Sequence, residues 1–132
     1  MQYGVSQENL LIALEANEDH SSKEGYAVKY SSGKAALQTS DTALDTAGVI
    51  TDGAESGKNS SVALLGFGGI VYVKLHSTAG TVTAGVTKLG THTDGTFKAT
   101  ASSKNACAVA LEDGANSALI LARLLDYSEL TA

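Results

Sequence analysis

The stretch Tyr26-Ala27-Val28-Lys29-Tyr30-Ser31-Ser32-Gly33-Lys34-Ala35-Ala36-Leu37-Gln38 decides the fold class. Its first five residues alternate, with Tyr26, Val28 and Tyr30 on one face, which is the period of a half-buried β-strand. Ser31-Ser32-Gly33 turns the chain, and Lys34 to Gln38 supplies a second short strand, so the two form a hairpin. Downstream, residues 39–47 are small and polar and read as a connection. Gly48-Val49-Ile50-Thr51 leads to a turn at Asp52-Gly53 and a loop through Gly57-Lys58-Asn59. Ser61 to Phe67 is nearly all apolar, the pattern of a strand buried on both faces. Gly66, Gly68 and Gly69 break that run, and Ile70 to Leu75 resumes with β-branched residues.

Thr81 to Leu89 alternates hydroxyl and apolar residues and reads as a further strand. Asp94-Gly95 has the chemistry of a type I′ hairpin turn, which requires positive φ angles. Asn105 to Leu111 is a buried-type strand that runs into Asp113-Gly114. Ser117 to Leu125 has the length and Leu/Ala content of a helix, but its place at the end of a β chain favours a strand. Short strands at this spacing predict an all-β domain, a small barrel or sandwich.

The leading segment is ambiguous. Asn9 to Ala16 could form a helix capped by Ser6, or a strand with Leu10, Ile12 and Leu14 on one face. The polar run Asn17 to Glu24 separates it from the hairpin at Tyr26. Residues 1–20 therefore read as an N-terminal arm, extended unless it docks, and residues 21–132 as a single β domain. A weak internal echo is also visible. Gly48-Val49-Ile50-Thr51-Asp52-Gly53-Ala54, then Ser61 to Leu65, resembles Ala108-Val109-Ala110-Leu111-Glu112-Asp113-Gly114-Ala115, then Ala118 to Leu121. Two related hairpins in one barrel would produce this, but the favoured reading is hairpin chemistry used twice.

Composition narrows the function. The chain has 132 residues, 43% hydrophobic and 17% charged, with a net charge of −5. A chain of this length buries roughly two-thirds of its unfolded surface, so it needs no disulfide or metal to hold a core. A single arginine, Arg123, and an excess of acids argue against a nucleic-acid partner, which would need clustered cations. No apolar run is long enough to span a bilayer as a helix, and no membrane partner is expected. The segment MQYGVSQENL lacks the basic and apolar regions of a signal peptide, so synthesis in the cytoplasm is expected. Cys107 lies in an apolar run and reads as a small buried hydrophobe.

The chemical inventory is thin. His20, His76 and His92 fit no metal-ligand spacing. His92 and Asp94 would be neighbours on one strand face, and that pair reads as a solvated hairpin end more readily than as an acid–base or metal site. Gly66-Phe67-Gly68-Gly69 lacks the following helix that a phosphate loop needs, so it reads as a bulge or bend. The aromatics are few and scattered, and core packing is the expectation for most of them. No catalytic residue, cofactor or metal is expected. The apolar residues of the arm, Tyr3, Val5, Leu10, Leu11 and Ile12, are the candidate partner-binding residues.

Taken in order, the arm ending in Glu18-Asp19-His20-Ser21-Ser22-Lys23, the hairpin from Tyr26, Ala47-Gly48-Val49-Ile50, Val62 to Gly66, Ile70-Val71-Tyr72-Val73, Thr83-Ala84-Gly85-Val86, Asp94-Gly95-Thr96-Phe97, Ala108 to Glu112 and Leu119 to Leu125 resemble the small head decoration, or cement, proteins of tailed bacteriophages. The resemblance covers roughly residues 9–126, and order and spacing carry it. It implies a small β-barrel or β-tulip-like domain, a homotrimer at three-fold and quasi-three-fold positions on the outer capsid face, and the major capsid protein as partner. It implies no catalytic residue. A fibre-like or glycan- or receptor-binding β module of a virion or cell surface is the alternative.

Overall fold

The computed structural model describes residues 10–41, 45–100 and 105–130. All regular structure among them is β, in ten strands. β1 (Leu11–Glu15), β2 (Ala27–Ser31), β3 (Lys34–Leu37), β4 (Thr46–Asp52) and β5 (Asn59–Leu64) form one antiparallel sheet of order β1-β5-β4-β2-β3. β6 (Ile70–Lys74), β7 (Lys88–Thr91), β8 (Phe97–Ala99), β9 (Ala106–Ala110) and β10 (Leu119–Leu124) form a second, of order β6-β10-β9-β7-β8. Neither sheet closes into a full barrel, and the pair of antiparallel sheets is compatible with the expected small β-tulip-like domain; in each sheet the two edge strands meet only through a single parallel bridge.

The two orders are the same pattern, and the registers agree along most of the ladders, the first repeat alone carrying a shift between Ile50 and Asp52. Gly48 pairs with Leu64, Val49 with Ala63 and Ile50 with Val62, while Ala108 pairs with Leu124, Val109 with Arg123 and Ala110 with Ala122. Ala27 and Val28 pair with Val49 and Gly48 before the register shifts. Lys88 and Leu89 pair with Val109 and Ala108 before the same shift. Loop bonds repeat as well. Gly25 N–H donates to Ile50 O (2.8 Å) as Gly85 N–H does to Ala110 O (2.7 Å), and Leu65 N–H donates to Ala47 O as Leu125 N–H does to Cys107 O, both at 2.9 Å. Even the edges match: in each sheet the end of the first strand makes a parallel bridge to the third, Ala16 to Ala35 and Leu75 to Phe97. The echo in sequence is therefore the trace of two five-stranded repeats, residues 10–64 and 70–125.

The leading segment enters this architecture at Leu11. Of the stretch Asn9 to Ala16, the described residues adopt the strand alternative from Leu11, with Ile12 and Leu14 packed inward against Val28, Ala35, Ile50 and Val62. β1 pairs with β5 along its whole length, so from Leu11 onward the stretch read as an arm is an edge of the first sheet. The physical reason is pairing: a free strand would leave its backbone groups unbonded and its apolar face wet. Ser117 to Leu125 likewise adopts the strand alternative, as β10.

Two local expectations fail. Thr81 to Thr87 forms no regular strand: Val86 and Thr87 N–H both donate to Thr83 O, and Gly85 has φ 76°. A glycine at that angle folds the chain back, and only Lys88 to Thr91 is left to pair. Asp94-Gly95 is not a two-residue hairpin turn, because the loop from Thr91 to Phe97 spans five residues and Gly95 alone has positive φ. The two-residue turn is at Ser32-Gly33, with φ 51° and 76°, the signs a type I′ turn needs.

The inward residues of the second repeat and Ala27, Val49 and Ala63 of the first make one core, which includes Leu75, Leu89, Phe97, Ile120 and Leu124. The interior of the first repeat is a smaller cluster around Val28, Ala35, Ile50 and Val62. The repeats meet closely: Gly95 O accepts from Ala27 N–H (2.8 Å), Gly25 O accepts from Lys74 N–H (3.0 Å), and Thr91 Oγ1 donates to Ser40 O (2.8 Å).

Candidate functional site

Three ionisable side chains converge where the repeats meet. His76 follows the end of β6, and His92 and Asp94 sit in the β7–β8 loop. Because Leu75 bridges to Phe97, and His76 N–H donates to Phe97 O at 2.8 Å, the end of β6 lies beside the base of that loop. One ligand atom from each of the three lies within 4.8 Å of the others. The two imidazoles stack, centroids 3.7 Å apart and planes 8° from parallel. His76 Nε2 lies 3.5 Å from Asp94 Oδ2.

The hydrogen bonds set the protonation pattern. A backbone N–H can only donate, and Thr78 N–H reaches His76 Nδ1 at 3.0 Å while Thr93 N–H reaches His92 Nδ1 at 2.8 Å. In the neutral rings both protons therefore sit on Nε2, and that of His76 faces the Asp94 carboxylate. Burial alone would raise the Asp94 carboxyl, but the Thr96 hydroxyl and N–H bonds and the nearby His76 outweigh it and lower it below the usual range. A metal ion would need an in-plane nitrogen lone pair at about 2.0–2.1 Å from each ring. Two parallel rings 3.7 Å apart cannot both offer one to the same ion. As arranged, the cluster clasps the β7–β8 loop to the end of β6 and does not fit a metal ion.

Other candidates are placed less suggestively. Cys107 is 7% exposed, and burial pushes its thiol up to about 11, the state of an inert packed sulfur. His20 is fully buried with neither ring nitrogen hydrogen-bonded among the described residues, and burial lowers its pKa despite Glu18 Oε1 at 3.8 Å. Gly66 and Gly68, at φ 97° and 69°, make a bend between the repeats that pairs with Asp126, not an anion cradle.

Of the candidate partner-binding residues, Leu10 and Leu11 are 45% and 50% exposed, while Ile12 packs on the small core. Tyr3 and Val5 lie outside the described residues. The expectation that aromatics fill the core fails: Tyr30, Tyr72, Tyr127 and Phe67 are all more than half exposed, and among the described residues only Phe97 is a fully buried aromatic. Tyr72 joins Leu111, Leu119 and Leu121 on the outer face of the second sheet. Composition could not reveal this patch, because strand pairing decides which apolar residues share a face.

No protein-family model and no curated protein sequence matches this chain. Among solved structures, the N base of head fiber gp8.5 of bacteriophage phi29 is similar, with a TM-score of 0.64 at 17% identity, covering 87% of this chain and 92% of that one. Likeness over nearly the full length of both chains shows a shared fold, both repeats included.

Proposed function

We propose that this protein is a phage virion structural protein on the outside of the capsid, acting by binding and not by catalysis. The observation that carries this is the fold shared with the phi29 head fiber base over 87% of the chain. The sequence resemblance to head decoration proteins points to the same surface. In this reading the partners are the major capsid protein and further copies of the chain, assembled as a trimer at three-fold and quasi-three-fold positions where it bridges capsomers. Many modest contacts made at once hold such a clamp, since linked binding events gain by multivalency. A net charge of −5 on a surface rich in serine and threonine keeps the free protein soluble before it docks.

The test is addition of purified protein to expanded capsids that lack it. Co-sedimentation and a raised disruption temperature are expected; absence of co-sedimentation overturns the proposal. The neighbour being a fiber base favours a second reading, that this domain seats a fibre on the shell. Electron microscopy separates the two: a compact knob supports decoration, and a projecting shaft supports the fibre base.

A further inference from the structure

His20 is a buried ionisable group that the fold does not require. Its side chain is fully buried, and neither ring nitrogen has a hydrogen-bond partner among the described residues. A neutral imidazole has one donor and one acceptor to satisfy, and an imidazolium has two donors and a charge. The ring is therefore poorly held in the first state and worse held in the second. At the equivalent tie between its first long loop and the strand-4–strand-5 connection, the second repeat uses Val82, whose carbonyl accepts from Gly114 N–H at 3.2 Å. An apolar side chain serves there, so the tie itself has no need of a titratable ring. The loop that carries His20 is fastened lightly. His20 N–H donates to Ala54 O (2.8 Å), and Gly53 N–H donates to Glu24 Oε2 (3.0 Å). The two stretches of backbone touch, since a Cβ on Gly53 would collide with His20 O. Movement of His20 is thus felt directly at Gly53 and Ala54.

The surrounding charges decide where a protonated ring goes. Glu18 Oε1 lies 3.8 Å from His20 Nε2, and the Glu18 side chain is 61% exposed. Asp19 is held on Ser21 N–H (3.0 Å), and the Lys23 ammonium lies 4.8 Å from the centre of the Tyr26 ring. The facing β4–β5 connection carries Asp52, and Glu55 paired with Lys58 at 3.4 Å. β6 meets the end of the loop where Gly25 O accepts from Lys74 N–H, and it brings the Lys74 side chain. Burial outweighs the pull of Glu18 and Asp19, Lys23 adds its repulsion, and the ring's pKa falls below the ordinary histidine value. The nearest carboxylate for an imidazolium is that of Glu18, and it stands toward water. We propose that residues 17–25 are an acid-opened flap: protonation of His20 turns the ring out to Glu18 and water and frees His20 and Gly53 from their bonds, while the strands of both sheets stay paired.

The test is amide hydrogen exchange of the unaltered chain by NMR at neutral pH and at pH 5, corrected for the intrinsic effect of pH on exchange. An exposed histidine, with a pKa of about 6.5, is protonated about 30:1 at pH 5, so opening at the His20 and Gly53 N–H groups is expected to grow about 10- to 30-fold. Their protection should stay well below that of the central-strand amides of Ile50 and Ala110, which bond to Tyr26 O (2.9 Å) and Thr87 O (3.0 Å). His20→Val keeps the tie in the form the second repeat uses, so it is expected to fold and to show no such growth at Gly53 N–H. Absence of growth in the unaltered chain overturns the proposal. So does growth at Gly53 that persists in His20→Val. Equal protection of loop and central-strand amides at pH 5 overturns it too, since the loop would then part only when the whole chain unfolds. If the variant does not fold, the ring protons of His20 in the unaltered chain decide. A titration midpoint below about 6.5 that tracks the growth in exchange supports the flap, and an ordinary midpoint overturns it.

Discussion

The two repeats have one backbone plan and different interiors. At the counterpart positions Ala35 and Phe97, the first repeat places a methyl group and the second a ring, both fully buried. At the site where each repeat ties its first long loop to the strand-4–strand-5 connection, the first uses His20 and the second Val82. Gly48 has Ala108 as its counterpart, and a Cβ at Gly48 would lie 2.1 Å from Ala63 O. The comparison teaches that strand order and register do not require a particular core. Two different sets of side chains satisfy the same ladder, and the set chosen decides which repeat carries the stability.

Phe97→Ala probes that difference most severely. It gives the second repeat the side chain that the first repeat has at Ala35, in the larger core. The expected loss is about 3–5 kcal/mol, a fall in Tm of more than about 10 °C by calorimetry. A loss below about 1 kcal/mol would mean that the larger core collapses around the void and does not dominate stability.

His20→Val copies the Val82 solution into the first repeat. The folded-state pKa of His20 is lowered by burial, so the native state prefers the neutral ring. Below the unfolded-state value of about 6.5, the unfolded chain binds a proton that the native chain resists, so stability falls as pH falls through that value toward the lowered folded-state pKa. The unaltered protein should lose several degrees of Tm between neutral pH and mildly acidic pH. His20→Val should show a flatter profile over the same window. Parallel profiles would show that His20 takes up its proton without cost.

The smallest effect is expected at Ser117→Gly. Ser117 has φ 65° at the place where the first repeat has Gly57 at φ 84°. The left-handed conformation costs a residue with a Cβ about 1–2 kcal/mol, and the greater freedom of glycine in the unfolded chain offsets part of the relief. A net gain of a few tenths to about 1 kcal/mol is expected in denaturant unfolding. A loss would show that the serine is held there by contacts worth more than the strain.

Much of the fold is legible because it is local. The hairpin from Tyr26 to Gln38 is encoded by alternation and Ser32-Gly33, and β9 and β10 by apolar runs bounded by Asp113-Gly114 and Ser117. Thr81 to Leu89 misleads because its alternation is genuine while the Thr83 carbonyl and Gly85 bend it into a turn. Asp94 misleads because its carboxylate takes the Thr96 N–H and hydroxyl, capping a longer loop than its Asp-Gly pair suggests. At the histidine cluster, the proximity of His92 and Asp94 can be read from their spacing. His76 cannot, since its place depends on the parallel bridge from Leu75 to Phe97.

Period, turn chemistry and composition were enough to specify an all-β chain, its hairpins, a buried Cys107 and an acidic charge balance, because those properties depend on neighbours a few residues apart. Pairing between distant strands had to supply the rest: the shared register of the two repeats, the docking of Leu11 to Glu15 as an edge, the meeting of His76 with Asp94, and the gathering of Tyr72, Leu111, Leu119 and Leu121 on one face. A strand's alternation says that it has two faces, but only the strands beside it and the sheet packed on it settle which face meets water.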